Sequence, residues 1–323
     1  MSKNRNTAVR NGNAEETPPV HTVNPQLNSK TAGFAYSATA VAIIIISLIV
    51  GLIRTVAKVE NYSDAYWYLS FIASPVAIAA AVGVTLAVRK IPFKQIFPVK
   101  CHPKYYLIAL LIVFGLFCSL NQINGLILKL LGQETSEHSK MLTEYILSLS
   151  GWRAAAAIIV IAVLPAFFEE LLFRGVMLNG CERCAGGLKT IFIIGFCFSL
   201  MHGSLEQTVY QFIAGCLFAF VAIRAHSILP CILMHFINNA LTIVISLLGG
   251  WTAEGELAVS LGGNIAMIAV GAVALAGGIA WLALDKRKME KGENGGVKNF
   301  FIFAACGIGV FALLWILSLF GVA

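Results

Sequence analysis

The stretch Phe167-Phe168-Glu169-Glu170-Leu171-Leu172-Phe173-Arg174-Gly175 places two adjacent carboxylates and a guanidinium in a run otherwise apolar from Ala154 to Leu178. A charge at mid-bilayer depth costs about 2.5–3.5 kcal/mol on insertion scales, so a cluster in one helix calls for a partner or a function. Glu170 and Arg174 stand four apart and can pair on one helical face, while Glu169 points about 100° away with no counter-charge of its own. His202 and His235 are the histidines within, or at the end of, apolar runs. His202 closes Phe198-Ser199-Leu200-Met201-His202, and His235 opens His235-Phe236-Ile237-Asn238-Asn239, which sets His235 and Asn239 on one face. His21, His102, His138 and His226 fall in the tail, in loops or at a span edge, where solvation accounts for them.

These groups suit hydrolysis. A carboxylate with little access to water is a usable general base, imidazole can orient the attacking water, and His with Asn can donate to a developing oxyanion. Two histidines and two glutamates equally suit Zn²⁺, with Glu169, His202 and His235 as the ligand set and a metal-bound water as nucleophile. Residue types alone leave both routes open. The chain has no His-Glu-x-x-His and no Gly-x-Ser-x-Gly, so the usual marks of zincins and serine hydrolases are missing. Singly, Glu170–Arg174 reads as a helix brace and a lone His or Asn as interhelical glue. Jointly, an unpaired Glu169 with two histidines and an asparagine favours chemistry.

The elements that must position them are membrane helices. Of 323 residues, 58% are hydrophobic and only 12% charged, with a mean hydropathy of +0.82; soluble domains carry about 25% charged residues. The expected fold is all-α, a polytopic membrane protein with spans at about 33–53, 65–88, 105–128, 153–179, 188–203, 208–223, 227–248, 259–284 and 299–320. Residues 1–32 read as a disordered tail and 33–323 as one helical transmembrane domain. Spans five and six are short, and Pro165 and Pro230 should kink or break their helices. At about 1.5 Å per residue, Glu169, His202 and His235 all fall roughly 14–20 Å below the inner surface.

The net charge of +7 is spread over the connections rather than gathered in a patch, which argues against nucleic acid as a partner. Lys and Arg crowd the tail, 89–104, 180–189 and 285–298; the other side has Arg54, Lys58, Lys129, Lys140 and Arg153, and its loop 249–258 carries Glu254 and Glu256. That asymmetry puts the N-terminus in the cytoplasm. No signal peptide is recognisable. The eight cysteines are scattered and form no disulfide framework; Cys181-x-x-Cys184 has no second pair, and reduced thiols account for it better than a metal site.

The ordered motifs Glu169-Glu170-x-x-x-Arg174, Phe198-x-x-x-His202 and His235-x-x-x-Asn239 resemble the CPBP family: type II CAAX prenyl endopeptidases together with bacteriocin-processing and immunity-associated (Abi) proteins. The resemblance covers about 150–245. It implies a CPBP-like helical core and an intramembrane endopeptidase, a hydrolase of the plasma membrane, here a bacterial one. Glu169 would activate water with help from His202, His235 and Asn239 would hold the oxyanion, and Glu170 and Arg174 would brace the site. Both a metalloendopeptidase and a metal-free, glutamate-dependent mechanism are described for such proteins; the second is preferred, with no cofactor required and Zn as the alternative. The expected partners are membrane lipids and a membrane-embedded or lipidated peptide substrate. Competing readings are a non-catalytic bacteriocin-immunity or partner-binding protein, and a proton-coupled transporter using Glu169.

Overall fold

The computed structural model describes residues 25–132, 136–248, 250, 259–285 and 296–320, and among them the regular structure is helical with no strand. Among the described residues eight helices are long and apolar enough to cross a membrane, and the fifth expected span appears as the shorter apolar helix Gly187–Met201. In chain order they are α1 (Ser29–Val56), α2 (Asp64–Arg89), the single turn α3 (Phe93–Ile96), α4 (Lys104–Leu130), α5 (Glu137–Leu147), α6 (Gly151–Glu182), α7 (Gly187–Met201), α8 (Thr208–Ala225), α9 (Leu229–Leu247), α10 (Leu261–Ala283) and α11 (Gly296–Leu319). The protein is an integral, multi-pass helical membrane protein.

Two boundaries differ from the sequence expectation. The sequence reading carries the tail to residue 32, yet α1 already begins at Ser29, because the Asn28 carboxamide accepts from the Lys30 and Thr31 N–H groups and caps the helix. Ser29, Thr31 and Ala32 are buried there. Residues 1–24, the loop 251–258 with Glu254 and Glu256, the loop residues Lys286, Arg287, Lys288 and Lys291, and the side chains of Arg183 and Cys184 lie outside the described residues. The second difference is α5, a helix between the third and fourth spans for which the spans make no allowance. Ser136 Oγ accepts from Ser139 N–H to cap it, and the Glu206 carboxylate accepts from Ser136 N–H at 2.6 Å and from Ser139 Oγ at 2.8 Å.

The outer helices support the core α6–α9. Tyr36 of α1 is fully buried, and its hydroxyl donates to the Cys197 carbonyl of α7 at 2.9 Å. α1 lies against α11 at glycine contacts: a Cβ on Gly33 would sit 2.5 Å from the Phe300 carbonyl oxygen. The far face of α1 leaves Ile45, Leu48 and Leu52 exposed, as suits side chains that meet acyl chains.

The expectation that both prolines kink or break their helices fails at Pro230. Pro230 sits in the first turn of α9, where its missing N–H is harmless. Pro165 lies inside α6, whose ladder is wound in π register over Ile158–Val163 and again over Leu171–Leu178, with α-helical Leu164–Glu170 between them. A proline removes one i→i−4 bond, and a wider π turn is one way a helix absorbs that loss.

Candidate active site

Glu169 and Glu170 end the α-helical middle of α6, and Arg174 follows in its π-wound turn. Arg174 is 2% exposed. Its Nη1 donates to Glu170 Oε1 at 2.8 Å and its Nη2 to the Gly215 carbonyl of α8 at 3.0 Å. The rings of Phe198, Phe218 and Phe173 surround the guanidinium, with centroids 5.0, 5.3 and 5.8 Å from it. That carbonyl is within reach because α7 and α8 pack closely: a Cβ on Gly215 would stand 2.9 Å from Gly195 Cα and 3.0 Å from Phe198 Cβ.

Glu170 Oε1 has a second partner that its spacing from Arg174 did not reveal. His235 Nδ1 lies 2.9 Å from it, so one carboxylate oxygen joins Arg174 of α6 to His235 of α9. A carboxylate paired to arginine is an acceptor, which assigns the proton to Nδ1 and leaves Nε2 facing the rest of the site. Nε2 is 3.9 Å from Glu169 Oε2, too far for a hydrogen bond. Glu169 is 8% exposed, and its Oε2 has no hydrogen-bond partner among the described residues. The expectation of one braced and one unpaired carboxylate matches this geometry.

His202 caps the C-terminus of α7, with Nδ1 2.7 Å from the Phe198 carbonyl. A carbonyl only accepts, so Nδ1 carries the proton and Nε2 keeps its lone pair. The Phe198 ring packs against both imidazoles, with centroids 4.8 Å from His202 and 5.9 Å from His235. Asn239, one turn beyond His235 on α9, donates from Nδ2 to the Ile161 carbonyl of α6 at 3.3 Å.

The structure thus gathers Glu169, Glu170, Arg174, Phe198, His202 and His235 from three helices and fixes Asn239 beside them. Sequence reasoning missed the Gly215 carbonyl, Asn238 and Tyr210, whose hydroxyl donates to Asn238 Oδ1. Tyr210 carries no sequence signal for this, but Asn238 does, as a second carboxamide next to Asn239 in an apolar helix. Among the described residues no group of three or more His, Cys, Asp or Glu stands placed to hold an ion; Glu169, His202 and His235 are the residues that would hold Zn²⁺ in the metal-dependent alternative. No step below runs through a metal.

Residues 151–241 match the family model described as Type II CAAX prenyl endopeptidase Rce1-like. The matched segment runs from the start of α6 into α9 and holds all seven site residues. The match is to the CAAX prenyl endopeptidase branch and gives nothing to the bacteriocin-associated label or to a metalloendopeptidase. No curated protein and no solved structure gives a significant match.

Proposed function

We propose, from an Rce1-like domain at 151–241, that this chain is an intramembrane endopeptidase cleaving a membrane-embedded or lipid-anchored peptide, with Glu169 as general base. The observation that carries the reading is a buried carboxylate oxygen with no donor among the described residues, facing His235 Nε2 at 3.9 Å. Water held between Glu169 and the His202 Nε2 lone pair gives a proton to Glu169 as its oxygen attacks the scissile carbonyl carbon. Glu169 then returns that proton to the leaving amine as the C–N bond breaks.

The charge that develops on the carbonyl oxygen needs donors. Asn239 Nδ2 keeps one N–H beyond the one given to Ile161. His235 is constrained by tautomer: with Nδ1–H bonded to Glu170, its Nε2 donates only as imidazolium. Glu170 Oε1 stands 2.9 Å from its Nδ1 and Glu169 Oε2 3.9 Å from its Nε2. Glu170 therefore does more than brace the helix, because it orients the His235 ring.

The family description favours a prenylated C-terminal tail as substrate, reached from the cytoplasmic side if the N-terminus faces the cytoplasm. The test uses purified protein in nanodiscs and fluorogenic peptides ending in a Cys-aliphatic-aliphatic-X sequence, with and without a prenyl group on the cysteine. Cleavage next to the prenylated cysteine is expected, and Glu169→Gln, which keeps shape and removes the base, should slow it by about 10²–10⁴-fold. Glu169→Gln protein that cuts at the wild-type rate would sink the reading.

A further inference from the structure

The Asn239 carboxamide ends a directed chain of hydrogen bonds that begins on α8. Pro165 has no N–H to give the carbonyl four residues before it, that of Ile161. Asn239 Nδ2 donates to that carbonyl at 3.3 Å. Because a carbonyl only accepts, the contact decides which end of the Asn239 amide faces α6. Its Oδ1 is then presented to Asn238, whose Nδ2 donates to it at 3.3 Å. Asn238 Oδ1 in turn accepts from the Tyr210 hydroxyl. Each orientation follows from the previous one, so a proline on α6 sets the direction of a relay running through α9 to α8.

We infer that Tyr210 and Asn238 are positioning residues, which hold the Asn239 amide so that one Nδ2–H is spent on Ile161 and the other is aimed at the oxyanion. This rests on the hydrolytic reading above. A terminal carboxamide torsion is broad, and an Asn held at one end only can swing its second N–H away from the reacting oxygen. With Oδ1 and Nδ2 both engaged, the torsion is pinned from two sides. The hydroxyl matters only through Asn239, and this separates the inference from a simple tie between helices.

Tyr210→Phe removes the hydroxyl and keeps the ring. With the prenylated fluorogenic peptide in nanodiscs, kcat should fall about 10- to 100-fold, the scale on which a misaimed group costs rate. KM and the melting temperature should hold, and Asn238→Ala should behave alike, serving if the first variant accumulates poorly. In an Asn239→Ala background, Tyr210→Phe should cost nothing further. Independent, multiplying losses, or full-rate Tyr210→Phe enzyme that still needs Glu169, would overturn the relay and leave the hydrolytic reading standing. If Glu169→Gln retains activity or no peptide is cut, the hydrolytic reading is what has failed, and the relay is judged on ¹⁵N-asparagine-labelled protein. There Tyr210→Phe should shift the Asn239 side-chain amide signals, and unmoved signals would overturn it.

Discussion

Two arginine–carboxylate pairs in this molecule have nearly the same contact length and opposite meaning. Arg174 and Glu170 meet at 2.8 Å with both side chains fully buried. Arg153 and Asp64, at the ends of α6 and α2, meet at 2.6 Å with side chains 31% and 37% exposed. Arg153 bonds Asp64 through both Nε and Nη2, at 3.2 and 2.6 Å, and lines an open cleft with Tyr62, Trp67 and Tyr145. By distance the rim pair is the tighter one. Solvent decides otherwise, because an exposed pair exchanges one hydrated arrangement for another, while a buried charge stripped of its partner has nowhere to be solvated.

The comparison can be broken at each pair. Arg174→Ala should have the largest effect: it strips the buried Glu170 carboxylate of its guanidinium and leaves it the His235 contact, a loss of about 3–5 kcal/mol. Abundance in membranes and the melting temperature in detergent should both collapse, and normal accumulation would show that the buried pair is dispensable. Gly215→Ala comes next. Its methyl would meet Gly195 Cα and Phe198 Cβ at 2.9 and 3.0 Å and force α7 from α8, for about 1–3 kcal/mol of overpacking. It should also lower the cleavage rate, because Phe198 and the carbonyl that holds Arg174 move together. Asp64→Asn should do least, leaving abundance and cleavage unchanged within about twofold. A collapse there as deep as that of Arg174→Ala would erase the distinction between buried and rim pairs.

The same contrast explains what could be read from the chain alone. Long apolar runs announce their helices, and inside such runs a charged or strongly polar side chain is costly enough to stand out, as Glu169, Glu170, Arg174, His202, His235 and Asn239 do, whereas Phe198 enters only through the motif resemblance. Contacts between helices were not. Spacing sets which residues share a face within one helix, and hence the Glu170–Arg174 pair, but it says nothing of how α9 is rotated against α6. For that reason the second bond of Glu170, to His235, emerges only in three dimensions, as does the path from Tyr210 to Ile161. α5 was missed for another reason. It is too short and too polar to register as a span, although Met141, Leu142, Tyr145, Ile146 and Leu149 repeat at helical spacing behind the Ser136 cap. The tail boundary slipped because Asn28 caps α1 before its apolar run begins.

The central claim is that Glu169, His202, His235 and Asn239 converge on one amide bond. The most direct measurement is a structure of Glu169→Gln protein in nanodiscs with a prenylated peptide trapped uncut. The account predicts the scissile carbonyl oxygen between His235 Nε2 and Asn239 Nδ2, with its carbon facing residue 169 and His202. A peptide seated elsewhere in the bundle, its carbonyl out of reach of both donors, would contradict it.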